Sequence, residues 1–234
     1  MSHTNPQKRN YRQRAHSNPI SYRSLYHPIR PQSLNLGALY AESNLDKKIE
    51  FVDIGCGYGG LLTHLSPIFP NVLMLGLEIR TKVSDFVIDT IKSLREYNEI
   101  SHAYGNIACI RTNAMKYLPN FFDKKQVKKL FILFPDPHFK KSKHKWRFVS
   151  ETMIAEIAYI LHEDGLVYSI TDVFDMHEWI SKHFNEHPLF AKLSNDEKEE
   201  YDWLKNLSNH TQEGQKAHRE KKTLHYAIFK LKTI

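Results

Sequence analysis

The run Ile49-Glu50-Phe51-Val52-Asp53-Ile54 is closed by Gly55-Cys56-Gly57-Tyr58-Gly59-Gly60 and followed by Leu61, Leu62 and Leu65 at helical spacing. It reads as strand, glycine turn and helix, the opening of a parallel crossover unit. The alternation continues along the chain. Val72–Glu78 is a second apolar strand ending in an acid, and Val83, Phe86, Val87, Ile91 and Leu94 mark the buried face of a helix after it. Ile107–Ile110 is a short third strand, ending near Asn113, and Lys128–Phe134 supplies the fourth. Met153, Ile154, Ile157, Ala158 and Leu161 line the next helix, Gly165–Asp172 is the fifth strand, and Met176–Phe184 the helix after that. Asn195–Asn209 reads as polar and charged, Thr211–Lys222 as a basic helix, and Leu224–Leu231 as a final strand. Such alternation predicts an α/β domain with a parallel sheet covered by helices on both faces.

Length and charge set the organisation. A chain of 234 residues suits one such domain with a tail. Residues 1–32 are polar and basic and carry Pro6, Pro19, Pro28 and Pro31, too little apolar surface to fold alone. They predict a flexible basic arm, leaving 33–234 as the folded domain. The net charge of +7 is unevenly spread. Lys8, Arg9, Arg12, Arg14, Arg23 and Arg30 form one block without acids, and Lys140, Lys141, Lys143, Lys145 and Arg147 form another. Two such blocks point to a polyanionic partner. Within the arm, Arg12 and Arg14 precede Ser17, a context for a kinase with an acidic groove; phosphate there would weaken RNA binding. Cys56 and Cys109 are too few for a disulfide framework, and no Cys/His cluster has zinc spacing, so a reducing compartment and no metal are expected. No apolar run approaches the ~20 residues that span a bilayer, which predicts a soluble intracellular protein with no membrane association.

Chemistry gathers at strand ends. Phe134-Pro135-Asp136-Pro137-His138-Phe139-Lys140-Lys141 places one carboxylate between two prolines as the fourth strand ends, a stiff mount for a group that must be aimed. Cations follow at once, with Phe139 and Trp146 among them as packing residues or base platforms. The glycine turn alone does not choose between nicotinamide, flavin and S-adenosylmethionine. Asp53, just before the turn, could reach the ammonium of a bound amino acid, which S-adenosylmethionine has and a dinucleotide lacks. Glu78 stands 23 positions after Gly55 (78 − 55), close to the spacing of about 20 at which an acid accepts ribose hydroxyls.

Asp53-Ile54-Gly55-Cys56-Gly57-Tyr58-Gly59-Gly60, Gly76-Leu77-Glu78-Ile79-Arg80, Thr112-Asn113-Ala114-Met115 and the Pro-Asp-Pro stretch together resemble the tRNA (guanine-N7-)-methyltransferase family. The arm from Gln7 to Pro19 resembles its eukaryotic branch. The resemblance implies a class I S-adenosylmethionine-dependent methyltransferase fold, Rossmann-like, with a seven-stranded sheet whose one antiparallel strand is Leu224–Leu231. It implies that Gly55, Glu78, Arg80, Asn113, Ala114 and Leu133 line the S-adenosylmethionine site, that Thr211 and Glu213 close over it, and that Asp136 is the catalytic acid. It also implies a tRNA substrate methylated in the variable loop, a heterodimer with a non-catalytic WD-repeat subunit, and a nuclear location extending to the cytoplasm.

Guanine N7 holds a free lone pair, so no base is needed to remove a proton. Asp136 is therefore expected to orient the guanine through its N1–H and amino group and to offset growing positive charge. Lys140, Lys141, Lys143, Lys145 and Arg147 are expected on tRNA phosphates. Leu118-Pro119-Asn120-Phe121-Phe122, if exposed, is the candidate contact for the partner. The alternatives are a non-catalytic RNA-binding protein on this fold, a methyltransferase for another RNA, and, more weakly, a dehydrogenase.

Overall fold

Strand β1 (Ile49–Ile54) lies between β2 (Leu73–Glu78) and β4 (Val127–Leu133), parallel to both. The computed structural model describes residues 6–14, 17–21, 24–98, 103–194 and 196–232. Outside β2 lies β3 (Ile107–Arg111); beyond β4 come β5 (Leu161–Thr171), β7 (His225–Leu231) and the short edge strand β6 (Phe190–Lys192). The sheet order is β3-β2-β1-β4-β5-β7-β6. β7 alone runs against its neighbours, where the final apolar run is expected.

Side chains alternate faces along each strand, and the sequence fills both. Val52, Leu75, Ile110 and Ile132 point to a core shared with α3 (Ala114–Phe121), α4 (Glu151–Ile160) and α5 (Phe174–Glu186). Phe51, Met74, Cys109 and Phe131 point to the opposite core, closed by α1 (Gly60–Ile68), α2 (Thr81–Tyr97) and α6 (Lys198–Leu207). With apolar residues on both faces, the central strands cannot sit at an edge.

Three readings change. Leu118, Phe121 and Phe122 are 0–1% exposed, on the inner face and C-terminal end of α3, so these three side chains of the proposed partner patch are core instead. Asn195–Asn209, read as merely polar, contains α6, whose Tyr201, Leu204 and Leu207 are buried; their spacing of three was a legible helical signal. Leu161, placed on a helix face, begins β5 opposite Val127, because α4 passes into the strand without a loop.

The described part of the arm runs along the body. After a short 3-10 helix, Lys8–Tyr11, its backbone has few hydrogen bonds of its own, and side chains of the domain fill several open carbonyls. Asn113 Nδ2 donates to the Pro19 carbonyl at 2.5 Å, Thr112 Oγ1 to Tyr26 at 2.7 Å and Asn120 Nδ2 to Pro28 at 3.0 Å. Tyr11 Oη donates to Asp89 at 2.7 Å, and its ring meets Phe86 edge-on. Ala15, His16 and Arg23 lie outside the described residues.

Candidate active site

The chain winds outward in both directions from the β1/β4 pair, so the loops leaving these two strands diverge and open a crevice at their carboxyl ends. A cavity of about 460 Å³ occupies it. Gly55, Glu78, Arg80, Asn113, Ala114, Leu133, Thr211 and Glu213 all line this cavity, with Asp53 and Asp136. Residues far apart in sequence thus share one wall: most end or follow a strand, whereas Thr211 and Glu213 stand at the start of the helix Gln212–Arg219. Ser17 and Pro19 of the arm line it too.

The glycine turn lets the backbone bend under a ligand. Gly55 has φ +70, a conformation that disfavours a side chain, and its N–H donates to the Leu77 carbonyl at 2.7 Å. Below the turn Cys56 and Cys109 are buried free thiols with sulfurs 3.8 Å apart. Glu78, 3% exposed, accepts from the Gly57 and Arg80 backbone N–H groups at 3.1 and 2.9 Å and carries the Arg80 guanidinium. Asp53, 4% exposed, is pushed up to about 7 by burial and then by the Glu78 charge. Asn113 caps α3: its Oδ1 accepts from Met115 N–H at 3.0 Å.

The C-terminal wall approaches through a contact only glycine permits. A Cβ on Gly60 would stand 2.2 Å from the His210 carbonyl oxygen, so α1 touches the backbone leading into Thr211. The His64 and His210 rings stack beside it, 3.3 Å between centroids. Thr211 then caps α7 (Gln212–Arg219), its Oγ1 accepting from Gly214 N–H at 3.0 Å.

Asp136 is held by its own loop. Phe134 (φ 51) and His138 (φ 41) both adopt the left-handed conformation, which costs non-glycine residues about 1–3 kcal/mol each and is typical of sites where geometry outranks comfort. His138 N–H donates to Asp136 Oδ1 at 3.2 Å, and its Nε2 lies 3.7 Å from Oδ2. Arg147, read from sequence as a phosphate contact, is 4% exposed; its Nε donates to the Pro137 carbonyl at 2.8 Å and its guanidinium lies over Trp179. It fastens the loop from behind. Lys140, Lys141 and Lys145 are exposed, whereas Lys143 Nζ sits 3.6 Å above the Trp146 ring.

Two buried carboxylates in one cavity need cationic or hydrogen-donating company. S-adenosylmethionine fits: its ammonium suits Asp53 and its ribose diol suits Glu78. Among the described residues no three His, Cys, Asp or Glu side chains gather as metal ligands would, and no helix is long and apolar enough to cross a membrane.

A doubly wound sheet with one reversed strand, its crevice walled by these acids, defines an S-adenosylmethionine-dependent methyltransferase of class I type. The solved 16S rRNA methyltransferase KamB shares the fold, with a TM-score of 0.55 at 13% identity over 89% of this chain and 100% of that one. A family model described as putative methyltransferase matches residues 47–227. The chain is 51% identical over 225 residues to the tRNA (guanine-N(7)-)-methyltransferase of Caenorhabditis briggsae, covering 96% of this chain and 88% of that protein. It is also 51% identical over 248 residues to that of Xenopus laevis, covering 97% and 89%. The chain belongs to the tRNA (guanine-N(7)-)-methyltransferase family.

Proposed function

We propose that this protein methylates guanine N7 in the variable loop of tRNA, using S-adenosylmethionine. The observation that carries the reading is the convergence of Asp136 with Gly55, Asp53 and Glu78 on one cavity. Asp53, Glu78, Arg80 and Asn113 would hold the cofactor, with Gly55, Ala114 and Leu133 against it and Thr211 and Glu213 closing over it. When bound, S-adenosylmethionine supplies an electrophilic methyl group. The protein's own task is positional: N7 has no proton to lose, so Asp136 accepts from the guanine N1–H and amino group, fixes the ring in its plane and offsets the positive charge that grows on it.

Extruding the base costs a few kcal/mol, which phosphate contacts from Lys140, Lys141, Lys145 and the arm offset. In this reading residues 1–32 act as the arm and 33–234 as the catalytic body. The same proposal includes a heterodimer with a non-catalytic WD-repeat subunit, supported by the family resemblance, and a nuclear location extending to the cytoplasm; co-purification and imaging of the tagged protein test them. The function is tested by incubating the protein, with and without that subunit, with labelled S-adenosylmethionine and tRNA, then mapping the product by cleavage at 7-methylguanine. Label elsewhere than a variable-loop guanine, or an Asp136→Asn variant that binds tRNA and turns over normally, counts against it.

A further inference from the structure

We propose that Phe139 is the stacking platform for the target guanine, reading the face of the base while Asp136 reads its edge. The proposal rests on the methylation of guanine N7 proposed above. Among the described residues, five Phe, Tyr and Trp side chains line the cavity: Tyr58, Phe134, Phe139, Trp146 and Phe148. Four of them are committed elsewhere. Tyr58 meets Phe86 edge-on, Phe134 and Phe148 pack against the two cores, and Trp146 holds the Lys143 ammonium on its face and the His138 ring at its edge. Phe139 alone among them is exposed, at 70%. An apolar ring left in water beside this cavity gains free energy when a flat ligand in the cavity stacks on it and removes it from water.

The backbone that carries this ring is braced on both sides. Arg147 clamps Pro137, the left-handed backbone at His138 turns the chain immediately before Phe139, and the 3-10 helix Lys141–Trp146 follows. A carboxylate that binds the N1–H and amino group fixes the guanine within its plane, and a ring against its π-face fixes the plane itself. Together they present N7 in one orientation, which neither does alone. Lys140 and Lys141, next in the chain and exposed, are placed for the phosphates of the same nucleotide strand.

The test compares Phe139→Leu, Phe139→Tyr and Phe139→Trp with the wild type. Leucine keeps apolar bulk and loses the π-face, so kcat/KM for tRNA should fall roughly 5- to 150-fold, the equivalent of about 1–3 kcal/mol for one stacked base. Tyrosine and tryptophan should stay within a few-fold of wild type, and calorimetric cofactor affinity should stay unchanged in all three. A tRNA carrying 6-methylisoxanthopterin, a fluorescent guanine analogue that keeps the N1–H and amino group, at the target position gives a readout independent of turnover: its fluorescence should be quenched by wild type and by Phe139→Tyr, and not by Phe139→Leu. If Phe139→Leu forms 7-methylguanine as fast as wild type, or quenches as fully, the platform is wrong while the function stands. If wild type forms no 7-methylguanine, the function and the platform both fall.

Discussion

The Arg80 guanidinium straddles the Glu78 carboxylate, Nε on Oε1 at 3.1 Å and Nη2 on Oε2 at 3.0 Å. Backbone N–H groups of Arg80 and Gly57 take one further position on each oxygen. A carboxylate offers about four acceptor positions, so every one is filled. A ribose diol can bind only by displacing donors, and the Arg80 side chain is the pair free to leave, because the other two donors are main chain.

Glu78→Gln should therefore weaken S-adenosylmethionine binding about 10- to 100-fold, the worth of hydrogen bonds to a charged acceptor, as read by calorimetry. In the wild type the Arg80 Nε–H resonance should shift when the cofactor is added. A Kd equal to wild type in the variant would remove Glu78 from the site.

Asp53 should make cofactor binding depend on pH. Its folded pKa of about 7 lies above the ordinary 3.8, so folding takes up a proton. The associated stability is fully present below the ordinary value and is lost as pH rises through about 7. Pairing with an ammonium needs the ionised acid and runs the opposite way: affinity should increase as pH rises toward about 8. Asp53→Asn should flatten that profile. A wild-type affinity indifferent to pH across this interval would contradict the pairing.

Salt dependence separates the exposed lysines from Arg147. Replacing Lys140, Lys141 and Lys145 together by alanine should reduce the slope of log affinity for tRNA against log salt by about 2–3, close to 0.7–0.9 per lost phosphate contact. Arg147→Met should leave the slope alone. It removes the hydrogen bond to Pro137 and should instead lower the melting temperature by several degrees, at roughly 2–4 °C per kcal/mol for a chain of this size. A reduced slope in Arg147→Met would put that side chain on the RNA.

Gly60→Ala drives a methyl against the His210 carbonyl. Overpacking of this kind costs about 1–3 kcal/mol, so melting should drop by several degrees and cofactor affinity should fall as the Thr211–Glu213 segment is pushed from the cavity. Melting and calorimetry on the same preparation check both, and unchanged affinity would detach that segment from the site.

The sequence by itself determined the frame. Period-two and helical patterns are local, so the order of strands and helices, the glycine turn and the acids at the ends of β1, β2 and β4 were legible residue by residue. The family motifs added the identity of the reversed strand. Tertiary structure decided what each candidate side chain faces. Arg147 looks like its lysine neighbours in sequence and differs only because Trp179 and the Pro137 carbonyl come to meet it. Leu118, Phe121 and Phe122 could have been surface, until α4 and the sheet closed over them. Phe139 and Trp146 are alike on paper; one is occupied by Lys143 and His138, the other is open to the cavity. Burial and partnership depend on residues distant in the chain, and no local pattern encodes them.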